Sequence, residues 1–128
     1  MRIFVPAEVR PAENRVALVP DVISKLTRAG LSVTIESGAG VKSGASDGEF
    51  RSAGAEVVAT HQAKDSMSSA DVILSVQPLS ADRIASLKNG AITISFLSPG
   101  SLKDVIDAAA KAGVTAFSLE LVPRISRA

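Results

Sequence analysis

Residues 91–119 read AITISFLSPGSLKDVIDAAAKAGVTAFSL and contain one complete strand–helix–strand unit. The run Ala91–Leu97 is apolar, rich in β-branched residues and short, which suits a buried strand. Leu102, Val105, Ile106, Ala109 and Ala110 then recur at helical spacing and form the clearest apolar stripe of the chain. Gly113 stands where that helix must stop, and Val114–Leu119 is a second short β-rich run. A helix joining two such strands predicts that they run parallel, because parallel neighbours need a crossover of this length.

The same alternation extends back to the N-terminus. Strands are expected at Arg2–Val5, Ser32–Glu36, Glu56–Ala59 and Val72–Val76. Pro20–Ala29 places Val22, Ile23, Leu26 and Ala29 on one helical face, with Gly30 set for a left-handed cap. Lys25 and Arg28 complement the negative end of that helix dipole. Ser46-Asp47-Gly48-Glu49 has the pattern of a capping box, and Ser80 opens a helix that ends near Asn89-Gly90. Six short strands alternating with helices predict an α/β domain with a doubly wound parallel sheet, Rossmann- or flavodoxin-like. The composition agrees. Of 128 residues, 46% are hydrophobic, yet there are only four Phe and no Trp or Tyr, so the core must be aliphatic, as buried parallel sheets are.

Other function classes lose support on composition. Fourteen Lys and Arg face 13 Asp and Glu, and no basic block argues for nucleic acid. Without cysteine there is no disulfide, thiolate metal site or thiol nucleophile. Charges at Arg2, Glu8 and Arg10 do not suit a signal peptide, and no apolar run approaches the ~20 residues of a membrane span. A cytosolic protein is expected.

Several residues have the right chemistry for a site. Gly38-Ala39-Gly40-Val41-Lys42-Ser43-Gly44 lies between a strand and a capped helix, where glycines let backbone N–H groups approach a phosphate. Its spacing is G-x-G-x-x-x-G, it follows the second strand, and Glu56 opens the next strand rather than ending it, so a plain turn with glycines at positive φ is the better reading. His61 is the only histidine and falls in a polar helix with no catalytic partner at a telling spacing. Neither a metal constellation nor a G-x-S-x-G elbow is present. Ser98-Pro99-Gly100-Ser101 and Ser75-Val76-Gln77-Pro78 follow strands, at the end of the sheet where ligands collect. The former also reads as a Pro-Gly turn with a helix cap. Arg15, in the loop before the first helix, has the geometry to clamp a carboxylate or phosphate. It reads equally well as a solvated loop charge.

Three stretches carry a family resemblance: Met1-Arg2-Ile3-Phe4-Val5-Pro6-Ala7-Glu8, Asn14-Arg15-Val16-Ala17-Leu18-Val19-Pro20 and Glu36-Ser37-Gly38-Ala39-Gly40. Together they resemble the superfamily of alanine dehydrogenase and the N-terminal, NAD(H)-binding part of the proton-translocating transhydrogenase alpha subunit. Val122-Pro123-Arg124-Ile125-Ser126-Arg127-Ala128 looks like the transhydrogenase signature, a loop that crosses to a second subdomain and contacts the nicotinamide side of NAD(H). The resemblance implies direct hydride transfer between NADH here and NADP+ on a separate component, coupled to proton movement by a membrane component. It further implies that Arg124, Ile125, Ser126 and Arg127 bind cofactor, that the dinucleotide fingerprint lies beyond Ala128, and that the protein sits in the cytoplasm, peripheral to the inner membrane. Residues 1–121 would be the first α/β subdomain and 122–128 the start of the crossover, so the sequence is expected to belong to a longer protein and to be inactive alone. Homodimerisation is a weaker implication.

The departures matter as much. Alanine dehydrogenases resemble this chain at Arg15 but carry a substrate-binding lysine where Ser75 stands and a catalytic histidine where Ser98 stands. A serine supplies neither the cation nor the proton transfer of reductive amination. Many transhydrogenases also have lysine at that first place, so the role of the Ser75 strand end is open. The alternatives are an amino-acid dehydrogenase of the alanine dehydrogenase type and a non-catalytic α/β association module.

Overall fold

A computed structural model describes residues 1–9, 13–95 and 102–119. Six strands form one sheet: β1 (Arg2–Val5), β2 (Ser32–Glu36), β3 (Glu56–Val58), β4 (Val72–Leu74), β5 (Ile92–Ser95) and β6 (Thr115–Ser118). Their order is β3-β2-β1-β4-β5-β6, and every described pairing is parallel. The helices are α1 (Pro20–Arg28), α2 (Asp47–Ser52), α3 (Thr60–Ser69), α4 (Ala81–Ala85) and α5 (Leu102–Ala112). This is the doubly wound order expected from the alternation of strands and helices.

Side-chain alternation along each strand divides the core in two. Ile3, Val5, Val33, Ile35 and Val72 pack with Ile23 of α1 and Phe50 of α2. Phe4 and Ile73 point the other way, against Ala63 and Met67 of α3, Ile84 of α4 and Val105 and Ala109 of α5. Both clusters are almost wholly aliphatic, so helices cover both faces as the composition requires.

The local signals hold where the chemistry is local. Pro20 opens α1 at a position whose N–H is not needed, and Gly30 follows the helix at φ 91°. Ser46 accepts from the N–H of Glu49 while the Glu49 carboxylate accepts from the N–H of Ser46, completing the capping box. Ser80 caps α4 by accepting from the N–H of Arg83 at 3.3 Å.

Two helical faces need correction. In α1 Ile23 is buried and Leu26 half-buried, but Val22 and Ala29 are exposed. In α5 the buried line runs through Val105 and Ala109, flanked by Ala108 and Ala112, whereas Ile106 is 53% exposed and Ala110 is exposed. An apolar stripe read from spacing is about 100° wide, and only the part that meets the sheet is buried. The strands are also shorter than their apolar runs, since β3 and β4 end at Val58 and Leu74 and β6 begins at Thr115. The expected residues 96 and 97 at the end of β5 lie outside the described residues.

Candidate functional site

Between β1 and β4 the strand order reverses: the chain leaves β1 for β2 on one side and returns to β4 through α3. Segments following the two strands diverge there, which opens a crevice at their carboxyl ends. In this chain it is built from Pro6-Ala7-Glu8 after β1, Glu36 at the end of β2 and Ser75-Val76-Gln77 after β4. The loop carrying Glu13 and Arg15 joins them through hydrogen bonds.

Carboxylates organise this end of the sheet. Glu8 accepts from the backbone N–H groups of Val76 at 3.0 Å and Gln77 at 2.9 Å, tying the segment after β1 to the one after β4. Glu13, nearly buried, accepts from Arg15 Nε at 2.9 Å and Nη2 at 3.0 Å, a two-point pairing of guanidinium and carboxylate. The Gln77 amide donates to Glu13 at 2.7 Å and so closes the circuit. The Arg15 hydrogen bonds, with help from Gln77, hold the Glu13 carboxyl down at about 2, and the same contact raises the Arg15 pKa. Glu36 accepts from the N–H of Ala7 at 3.0 Å.

Of the residues singled out from sequence, Arg15 and Ser75 belong to this assembly. Arg15 directs two of its donors at Glu13, so any clamp it offers to a ligand is one already engaged with an internal carboxylate. Ser75 is 6% exposed and its hydroxyl donates to the Gln77 carbonyl at 2.8 Å. A recess between Glu8, Ser75 and Gln77 measures about 20 Å³, which is room for about one water. Ser98 and the loop Arg124, Ile125, Ser126 and Arg127 lie outside the described residues. His61 is exposed on α3, and among the described residues no group of acidic or histidine side chains could hold a metal.

The glycine turn does not cradle phosphate. Gly38 and Gly44 take positive φ, 81° and 90°, while Gly40 does not and serves close packing instead. A Cβ on Gly40 would stand 2.4 Å from Phe50 Cε2 and 2.8 Å from the Ala45 carbonyl oxygen. Its neighbours spend their amides internally: Ala39 on Glu36, Val41 on Gly38, Gly44 on Val41 and Ala45 on Gly40. The Gly38 N–H donates to the Asp47 carboxylate at 2.9 Å, which puts a negative charge where a phosphate would sit. The described residues therefore do not fit a dinucleotide pyrophosphate, and the segment after β1 is Pro6-Ala7-Glu8 rather than a glycine turn.

Glu8, Glu13, Gln77 and Glu36 were not identified as site residues from sequence. The rule that drew attention to Ser75, position directly after a strand, applies equally to Glu8 and Glu36. Nothing in the local pattern marks Glu13, whose burial depends on Gln77, 64 residues away.

Comparison with known proteins follows the geometry. The family model for the alanine dehydrogenase/PNT N-terminal domain matches residues 4–128. An NAD(P) transhydrogenase subunit alpha of Rhodospirillum rubrum is 41% identical over 133 residues, covering 100% of this chain and 34% of that protein. Alanine dehydrogenase of Mycobacterium tuberculosis is 35% identical over 122 residues, covering 95% of this chain and 32% of its own length. The crystal structure of transhydrogenase from Sinorhizobium meliloti superposes with a TM-score of 0.88 at 37% identity, covering 98% of this chain and 37% of that one. This chain thus spans about a third of the length of these relatives.

Proposed function

We propose, from the premise that this chain belongs to the alanine dehydrogenase/PNT N-terminal domain family, that it serves as the N-terminal region of the NAD(H)-binding component of a proton-translocating transhydrogenase. That enzyme would move hydride between NADH and NADP+. One observation carries the choice within the family. At the place where alanine dehydrogenases hold a substrate lysine, Ser75 is buried and its hydroxyl is committed to the Gln77 carbonyl. No ammonium is available there to pair with a keto-acid carboxylate, and Arg15 already shares its charge with Glu13. The whole-chain likeness to a transhydrogenase subunit alpha supports the same reading.

On this proposal residues 1–121 form one wall of a cleft and 122–128 begin the crossing to the other wall, which would hold the pyrophosphate. Arg124, Ile125, Ser126 and Arg127 would contact the nicotinamide side. NADP(H) would sit on a separate component, and a membrane component would couple the reaction to proton movement. Among the described residues no helix is long and apolar enough to cross a membrane, so attachment to the inner membrane would be peripheral, through those partners. Homodimerisation of this component is part of the same proposal.

Steady-state assay of the full-length protein with pyruvate, ammonia and NADH tests the choice, and no turnover above background is expected. Robust turnover would instead establish the amino-acid dehydrogenase reading that Arg15 favours. Calorimetric titration tests the cleft. Residues 1–128 alone should bind NADH too weakly to detect at micromolar concentration, since the pyrophosphate wall is missing. Arg124→Ala in the full-length protein should cost about 1–3 kcal/mol of NADH binding, the range for a lost charged hydrogen bond. Unchanged affinity and hydride-transfer rate would make the loop structural.

A further inference from the structure

A carboxylate withdrawn from water needs hydrogen bonds to both oxygens, because an unanswered buried acceptor keeps its full desolvation cost. Glu36 is 6% exposed. Its Oε1 accepts from the N–H of Ala7, but among the described residues its Oε2 has neither a hydrogen-bond nor an ion-pair partner. Alternation along β2 explains where the side chain goes. Val33 and Ile35 enter the core beneath α1 and α2, so Thr34 and Glu36 face α3.

There Glu36 lines a cavity of about 300 Å³ between α3 and α4. Ala63 and Met67 give it an apolar flank, and Lys64 and Arg83 bring two cations to its border against the single carboxylate of Asp82. Among the described residues neither cation forms an ion pair, with Glu36 or any other group. A buried acceptor, an apolar flank and cations not spent on one another are the ingredients of a small-molecule pocket. We infer that this cavity is a ligand site in its own right. Its ligand is a compact molecule that offers a hydroxyl or ammonium donor to Glu36 Oε2 and a phosphate or carboxylate to Lys64 and Arg83. The site is separate from the crevice between β1 and β4 and does not depend on the transhydrogenase reading.

Nitrogen-15 NMR titration of the 128-residue chain tests it, with glycerol 3-phosphate and phosphoethanolamine as donor-bearing probes and inorganic phosphate as the anion alone. Either donor-bearing probe should shift the Ala7, Ala63 and Ser86 amides saturably at millimolar concentration. Inorganic phosphate should bind at least about tenfold more weakly, and Glu36→Gln should weaken the preferred probe by a similar factor, the range for a hydrogen bond to a charged group. Lys64→Ala, at an exposed position, should weaken all three probes and keeps the test alive if Glu36→Gln fails to fold. The inference is overturned if neither probe gives saturable shifts. It is equally overturned if inorganic phosphate binds as well as the probes and Glu36→Gln changes nothing, since that would be surface attraction to cations.

Discussion

Glu36 and Gly38 lie two positions apart, yet the regions they belong to behave in opposite ways. The turn Gly38–Gly44 has the look of a ligand loop and has spent its resources. Its amides bond within the turn, Asp47 takes the Gly38 N–H and the Ser37 hydroxyl, and Phe50 fills the space that Gly40 leaves. The cavity on the other side of β2 matches no motif and holds a buried acceptor with one oxygen unanswered among the described residues. A motif records which residue types are present. Whether their donors and acceptors are available depends on what the fold has placed next to them.

Substitutions in and around the two regions put that contrast under strain. Gly40→Val should have the largest effect, because its Cβ meets both an aromatic ring and a backbone oxygen at less than 3.0 Å. A loss of about 3 kcal/mol or more in urea denaturation is expected. Gly38→Ala, with open space but φ 81°, should lose only about 1–2 kcal/mol. Equal costs would mean that the turn is held by conformation alone and not by packing.

Glu13→Gln comes next, at about 2 kcal/mol, since it breaks charged hydrogen bonds at a nearly buried position. Its pH signature is specific. The native carboxyl is held at about 2 against an ordinary value of 4.5, so it stabilises the fold fully above that ordinary value and loses the contribution as pH falls toward 2. Melting temperature followed across that window should show an acid limb in the parent that is smaller in Glu13→Gln. Parallel profiles would refute the pairing with Arg15.

Asp47→Asn should cost about 1 kcal/mol, through weaker acceptance from Ser37 and Gly38. If the turn were a latent anion site, removing this charge would let phosphate raise the melting temperature of the variant, and no such rise is expected. Glu36→Gln should be smallest, within about 0.5 kcal/mol of the parent, because it removes a buried charge while keeping an acceptor for Ala7. A cost comparable to that of Glu13→Gln would show that Glu36 is structural after all.

Several features were legible in the sequence because they depend on neighbours along the chain. The capping box of Ser46 and Glu49 spans four residues, Gly30 answers the end of its own helix, and strand–helix alternation in a chain of this length leaves few sheet topologies. Arg15 was recognisable as a loop cation for the same reason. The correct faces of α1 and α5 were not, because Val22 and Ile106 have the right spacing but no partner opposite them.

Local chemistry therefore set the elements, their caps and the parallel α/β class, and the family resemblance lay in short contiguous runs. Folding alone determined which polar groups meet. Glu8 reaches amides 68 and 69 residues away, Glu13 an amide 64 away and Glu36 one 29 away, each across strands that are neighbours only once the order β3-β2-β1-β4 has formed. The physical reason is that hydrogen bonding and desolvation act over a few ångströms in space, and a one-dimensional pattern carries no record of such distances.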